Sequence, residues 1–401
     1  MINIAIAQSG GPTVAINASL LGIFLEGLNN SEIDKIYGVR NGISGVINDK
    51  FVDLKEIIKE KDVDILRLTP AAFLGSCRYK LPSVEESRET YEKIIEAFRK
   101  HNIGAFFYIG GNDSMDTVNK LSNYIEKEGF DIKVIGIPKT IDNDLVGTDH
   151  TPGFGSAVKF LATTINEIIE DSRVYDVKSI TIIGIMGRDA GWLTASACLL
   201  KGRSPLPILF YLPEVPFELE KFIQDIEEVQ KDNNNVIICV SEGIKDINGK
   251  YIGSKEKDNI DGFGHENLNG IADYIAFLIK DRIKCKTRAI ELNILQRCAA
   301  HIASKTDIDE SEAVGREAIK ELIKGKTGIM MSIKRISSDP YEVKIESTSV
   351  EKCANEVKQF PIEWINGNSI SDEAIKYYLP LINGEVDLKF RDGIPEHLIL
   401  R

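Results

Sequence analysis

Apolar residues along this chain gather in short, nearly unbroken runs separated by longer stretches with helical spacing. The runs Ile2–Ala7, Ala105–Ile109, Lys133–Ile137, Ile180–Ile185 and Val236–Val240 have the composition of parallel strands covered on both faces. Between and after them the spacing predicts helices over Thr13–Leu28, Ser87–Lys100, Met115–Glu126, Gly155–Glu170, Gly191–Leu200, Glu218–Lys231, Glu266–Asp281, Asp309–Lys324 and Val350–Gln359. Strand, turn rich in Gly, Pro or Asp, then helix: this unit recurs through the first 245 residues and predicts an α/β protein with parallel sheets. There is no internal repeat, low-complexity tract or Pro-rich linker, so crossings between domains are expected near Asp149–Gly153 and near Gln296.

Ligands of open α/β sheets bind beyond the carboxyl ends of the strands. Five loops lie there: Ser9-Gly10-Gly11, Gly110-Gly111-Asn112-Asp113-Ser114, Pro138 to Asp144, Met186-Gly187-Arg188 and Ser241-Glu242-Gly243. They are expected to share one crevice.

The composition narrows the function without choosing it. At 401 residues the chain is long enough for two or three domains. Its formal net charge of −12 argues against a nucleic-acid or anionic-membrane binder, which needs a broad basic face, but leaves room for an anionic small substrate held by a few local cations. Six scattered cysteines with no CxxC spacing point to reduced thiols rather than to a zinc site or a disulfide framework. Met1–Leu25 carries no charge, yet it lacks the positive start of a signal peptide and is interrupted by Ser9-Gly10-Gly11-Pro12; with no run long enough to span a bilayer, the cytoplasm is the expected location.

Each loop has a chemical reading beside a plainer one. Gly10 and Gly11, between a strand and a helix start, let backbone N–H groups approach an anion, or simply make a tight turn. Gly111 to Ser114 repeats the device and adds a carboxamide, a carboxylate and a hydroxyl, groups that can hold hydrated Mg²⁺ or cap a helix. Lys139 and Thr140 precede two carboxylates, Asp142 and Asp144; a carboxylate there can accept a hydroxyl proton while the lysine neutralises a phosphoryl group, though Asp and Asn also form turns readily. Arg188 is poised to hold a sugar phosphate, and Arg288 and Arg297 raise the same possibility or that of an interface. None of the five histidines forms a nucleophile or metal constellation.

Taken in order, these pieces resemble the phosphofructokinase family from Ile2 to about Gly328. The resemblance rests on SGG, FLGSCR at Phe73–Arg78, GGNDS, PKTIDND, GIMGRDAGW at Gly184–Trp192, SEG, and the Arg288 to Arg297 segment; TDHTPGFGSA at Thr148–Ala157 is similar to the shorter bacterial branch. It implies two Rossmann-like parallel-sheet domains with the active site in the cleft between them, the donor side formed by 1–153 with about 296–349 and the sugar-phosphate side by 154–295 with about 350–401. It implies transfer of a phosphoryl group to the 1-hydroxyl of fructose 6-phosphate in glycolysis, with Mg²⁺ and a homodimer or homotetramer. Asp142 falls on the proton acceptor with Thr140 and Ile141 beside it, Gly10, Gly11 and Gly111 on the donor loops, and Arg78 near the transferred group. Met186, Gly187, Arg188 and Glu242 fall on sugar contacts, Arg297 on a 6-phosphate contact, and Arg288 on an arginine that enters a neighbouring subunit's site.

Asp113 and Lys139 stand where users of ATP carry glycines, and both fit inorganic pyrophosphate as the donor: the carboxylate repels an α-phosphate, and the lysine pairs with a donor that ends there. Asn112 replaces the family's Mg²⁺-linked aspartate, so Asn112 and Asp113 are the metal candidates. Ser179 replaces an arginine at the subunit boundary, and Ile294 a 6-phosphate contact, with Lys178 and Lys286 nearby. An ATP-dependent or sedoheptulose-phosphate-accepting enzyme, and a regulatory subunit paired with an active paralogue, are the alternative expectations.

Overall fold

The computed structural model describes residues 1–253, 268 and 270–400. The strands are β1 (Ile2–Gln8), β2 (Ile33–Val39), β3 (Phe51–Asp53), β4 (Ile103–Gly110), β5 (Lys133–Pro138), β6 (Ser179–Ile185), β7 (Ile208–Tyr211), β8 (Asn235–Ser241), β9 (Lys286–Glu291), β10 (Ile329–Ser338) and β11 (Tyr341–Ser349). They form a seven-stranded sheet in the order β11-β10-β5-β4-β1-β2-β3 and a four-stranded parallel sheet in the order β7-β8-β6-β9. All five apolar runs are strands, and all sit inside a sheet. The strands that patterning did not predict lie toward the margins, where one face or one edge is polar; β3 and β11 pair antiparallel with β2 and β10, departures from a purely parallel first sheet.

The longer helices are α1 (Ile16–Leu28), α2 (Arg88–Lys100), α3 (Asn112–Lys127), α4 (Phe154–Arg173), α5 (Leu219–Val229), α6 (Ile271–Ile279) and α7 (Lys305–Ile323). The helix expected from Glu266 starts at Ile271, with Glu266 itself outside the described residues. The stretch Gly191–Leu200 is a turn of α-helix, Trp192–Ala195, followed by a tighter one over Ser196–Leu200. Val350–Gln359 is not a helix beyond Lys352. Asn355 adopts φ 64°, Val357 pairs with Leu145, and the Lys358 N–H donates to the Asp144 carbonyl at 2.8 Å, so the backbone groups a helix needs are used by neighbours.

Helix α7 packs closely on α1 and is tied to the loop beyond β5. A Cβ on Gly22 would sit 2.0 Å from the Glu312 carbonyl oxygen and one on Gly315 2.2 Å from that of Ser19, so α1 and α7 touch backbone to backbone. From α7, Asp307 accepts the N–H groups of Gly153 (2.8 Å) and Ser156 (3.0 Å), capping α4. Glu310 meets His150 Nε2 at 2.6 Å, and Asp149 meets His150 Nδ1 at 2.8 Å and Arg335 at 3.0 Å. At the far end of the chain Leu398 and Leu400 pack on the first sheet's core, and the Leu398 N–H donates to Thr69 Oγ1 at 2.9 Å. This end of the chain therefore packs against the first sheet's core.

Burial alone would depress the His150 pKa, but hydrogen bonds to Asp149 and Glu310 outweigh it and hold the imidazolium above its ordinary value. A raised folded pKa stabilises most below the unfolded value of about 6.5, and the contribution is lost as pH rises through the folded value. His150→Phe leaves two carboxylates facing each other. It should lower the unfolding free energy by about 3 kcal/mol or more at pH 6, and by less at pH 9, in urea titrations.

Candidate active site

Loops at the carboxyl ends of strands from both sheets line one cleft of about 400 Å³, at the small end of ligand sites. The first sheet contributes Gly10 and Gly11 after β1, Gly111 to Ser114 after β4, and Lys139 to Asp142 with Asp144 after β5. The second contributes Met186 and Arg188 after β6 and Glu242 after β8, while Arg78 comes from a loop and Arg297 from the one-turn helix Leu295–Cys298.

Gly10 has φ 73°, a conformation that suits glycine, and a Cβ on Gly11 would lie 3.1 Å from Arg297 Nη1. The Gly11 carbonyl accepts from Lys139 Nζ at 2.5 Å. Lys139 is 2% exposed. Burial pushes its ammonium down to about 7, against the pull of Asp142 and with the push of Arg297. Burial and the nearby Arg78 lower Arg297 too. Arg78, Lys139 and Arg297 thus form a positive pole, which a multiply charged anion relieves.

The opposite pole is acidic. Desolvation first, then Asp144 and Glu242, raise the Asp142 carboxyl well above the carboxylate range, despite Arg188 and Lys139. Desolvation raises Asp144 as well, and takes Glu242 up to about 7. Thr140 Oγ1 accepts the Asp142 N–H at 3.1 Å, and Asn112 Nδ2 donates to Asp144 Oδ2 at 3.2 Å. One oxygen each of Asn112, Asp142 and Asp144 is shut off from solvent without a hydrogen-bond partner. Among the described residues no three His, Cys, Asp or Glu side chains gather as a metal cluster. A hard cation with oxygen ligands fits those free oxygens only if the substrate completes its shell.

On the second sheet's side, the Met186 N–H donates to Gln296 Oε1 at 3.1 Å, and the Gly187 N–H to Glu242 Oε1 at 3.4 Å. Ser241 Oγ holds the Gly187 carbonyl at 2.5 Å. Gly187, which is not itself among the residues lining the cleft, therefore shapes the loop that presents Arg188.

A family model described as phosphofructokinase matches residues 3–321. The chain belongs to the phosphofructokinase family. Its similarity to a pyrophosphate–fructose 6-phosphate 1-phosphotransferase of Methylococcus capsulatus is 39% identity over 400 residues, covering 98% of this chain and 94% of the relative. A sulfofructose kinase of Alkalicoccus urumqiensis is 31% identical, over 86% of each chain. In three dimensions it is similar to a pyrophosphate-dependent phosphofructokinase from Nitrosospira multiformis, with a TM-score of 0.89, 35% identity, and coverage of 99% of this chain and 95% of that one.

The phosphofructokinase cleft gathers most of the residues expected from the sequence and omits three, Gly187, Arg288 and Ile294. Arg288 lies on the edge strand β9, bonded to Asp171 at 2.7 Å, and Ile294 is 59% exposed; neither lines the cleft of its own chain. The cleft also includes Thr13, Lys80, Asp144, Asp189, Asn355 and Val357, which the motifs had not selected as site residues. Thr13 follows directly on SGGP, Lys80 lies two residues past the end of FLGSCR, and Asp144 closes PKTIDND, so their positions were signals. Asn355 and Val357 carried none.

A Cβ on Gly243 would stand 1.7 Å from the Arg188 carbonyl oxygen. Gly243→Ala should therefore displace the 186–190 loop and cost about 2 kcal/mol or more in urea unfolding, within the range of overpacking.

Proposed function

We propose that this phosphofructokinase is a pyrophosphate-dependent 6-phosphofructokinase that phosphorylates the 1-hydroxyl of fructose 6-phosphate in glycolysis. The observation that carries the donor is the buried Lys139 ammonium on the Gly10–Gly11 loop, with Asp113 lining the same cleft. A cation there meets a chain of two phosphates, and a carboxylate at the exit disfavours a third. The reading draws further support from the 39% identical relative of that name.

In the proposed reaction Asp142 takes the proton of the 1-hydroxyl. That oxygen bonds to the distal phosphorus of pyrophosphate, the bridging P–O bond breaks, and phosphate leaves with the electron pair. Gly10, Gly11, Gly111, Asp113 and Lys139 position the donor, while Arg78 and Lys139 counter charge on the transferred group, with Thr140 orienting the Asp142 backbone. Ile141, Met186, Gly187, Arg188, Glu242 and Arg297 position the sugar phosphate. Asn112 and Asp113, with Asp144 beside them, would hold Mg²⁺ together with phosphate oxygens; bound there it neutralises phosphate charge. The donor side is residues 1–153 with about 296–349 and the last residues of the chain, and the sugar-phosphate side is the remainder. Nothing in the chemistry needs a membrane, and a reversible enzyme of the cytoplasm is the consistent setting.

Phosphate release with pyrophosphate or ATP as donor tests the assignment, and a preference for ATP would refute it. Asp142→Asn should lose ~10²–10⁴-fold in turnover. Because Asp142 acts ionised and its pKa is raised, kcat/KM should fall as pH drops through a midpoint well above 4. Asp144→Asn, which removes a like charge, should move that midpoint down by roughly one unit.

Arg288 becomes a substrate ligand only in a neighbour's cleft. The edge of β9, unpaired among the described residues and beside the exposed Tyr175, Val177 and Ile294, is the surface on which a second copy would pair. Sedimentation should find at least a dimer, and Arg288→Ala should raise the KM for fructose 6-phosphate; an active monomer would exclude this role.

A further inference from the structure

The segment Cys353–Phe360 lies beyond the residues that the family model matches, yet Asn355 and Val357 line the cleft. It is fastened along its length. Asn355 Nδ2 donates to Asp116 Oδ1 at 3.0 Å, Val357 pairs with Leu145, and the Lys358 N–H donates to the Asp144 carbonyl at 2.8 Å. Lys358 Nζ donates to Asn143 Oδ1 (3.0 Å) and to the carbonyls of Thr148 (3.2 Å) and Asp149 (2.8 Å). The Lys358 carbonyl accepts from Trp192 Nε1 at 2.9 Å, and the Phe360 N–H donates to Glu214 Oε1 at 2.9 Å.

The strap thus runs from α3, across the 142–144 loop, to the second sheet's side. Asp116 is one turn along α3 from Asp113, and Asn112 is itself bonded to Asp144. The first turn of α3, the loop and the strap therefore make one continuous hydrogen-bonded rim. We propose that this strap is the end wall of the donor pocket, and that Asn355 and Val357 set the longest phosphate chain it admits. The inference rests on the pyrophosphate reading and extends it: Asp113 repels a longer donor by charge, whereas the strap stops it by occupying its exit. Tethers at both ends make the wall rigid, because moving Asn355 or Val357 outward breaks bonds to Asp116 or to the Asp144 loop.

Asn355 already has a left-handed backbone, which glycine adopts without strain, so Asn355→Gly removes the side chain and its tether while sparing the turn. Val357→Ala trims the wall and leaves the backbone pairing to Leu145 intact. The test measures kcat/KM for pyrophosphate and for linear tripolyphosphate at saturating fructose 6-phosphate and Mg²⁺, in the parent, both single variants and the double variant. The parent should use tripolyphosphate poorly, and the tripolyphosphate-to-pyrophosphate ratio should rise at least tenfold in the double variant and less in each single one. A parent that uses both equally, or an unchanged ratio in the two single variants, overturns the wall and leaves the pyrophosphate assignment standing. A parent that prefers ATP to pyrophosphate overturns both. Should the double variant not fold, the single variants decide alone.

Discussion

The cost of keeping Lys139, Asp142 and Asp144 from water, all within residues 139–144, governs the architecture around them. An ammonium that is 2% exposed and two carboxylates with oxygens shut off from solvent would, left alone, neutralise or drag the loop outward. Opposite charge offsets part of this. The rest comes from below the loop: Asn143, between the two aspartates, has φ 54°, its Nδ2 donates to Tyr377 Oη at 2.9 Å, and its Oδ1 accepts from Lys358. With Asn143 held beneath, Asp142 and Asp144 are left to the cleft. The Asp149–His150–Glu310 line then fixes where the loop ends.

The same accounting explains why the cleft has poles. Positive groups gather on the glycine-loop side and acids at the junction of the two sheets, and desolvation first, with like charges nearby adding to it, shifts Lys139, Asp142 and Glu242 toward neutrality. A polyphosphate and a sugar hydroxyl are the partners that reverse those shifts: the anion restores charge on the cations, and the proton released by the hydroxyl finds a carboxylate already inclined to take it.

The five doubly covered strands and the loops after them were legible in the sequence, because strands buried on both faces permit few polar residues and because glycines and charged residues punctuate their ends. What escaped was set by neighbours rather than by local pattern. β11, on an edge, alternates half-buried and exposed positions at its start, and neither it nor β9 has a fully buried residue, so neither shows an apolar run. The stretch Val350–Gln359 has helical spacing but spends its hydrogen bonds on Asp116, Asp144 and Trp192, partners about 160 residues or more away in sequence. Arg288 and Ile294 looked like site residues on motif alone, and the cleft of their own chain does not reach them.

The strand order of the first sheet also bears on how the chain comes into being. β5 pairs on one side with β4 and on the other with β10, and the register joins Ile135 to Ile329. When the polypeptide emerges from the ribosome, β5 is therefore finished long before its second partner has been synthesised. Until then its outer edge and the apolar faces beside it stay open, a template for stray strands. A nascent chain of this topology passes through a long interval in which five of the sheet's seven strands exist and the sheet cannot be completed, so the protein's yield in a cell is tied to whatever shields that edge during translation.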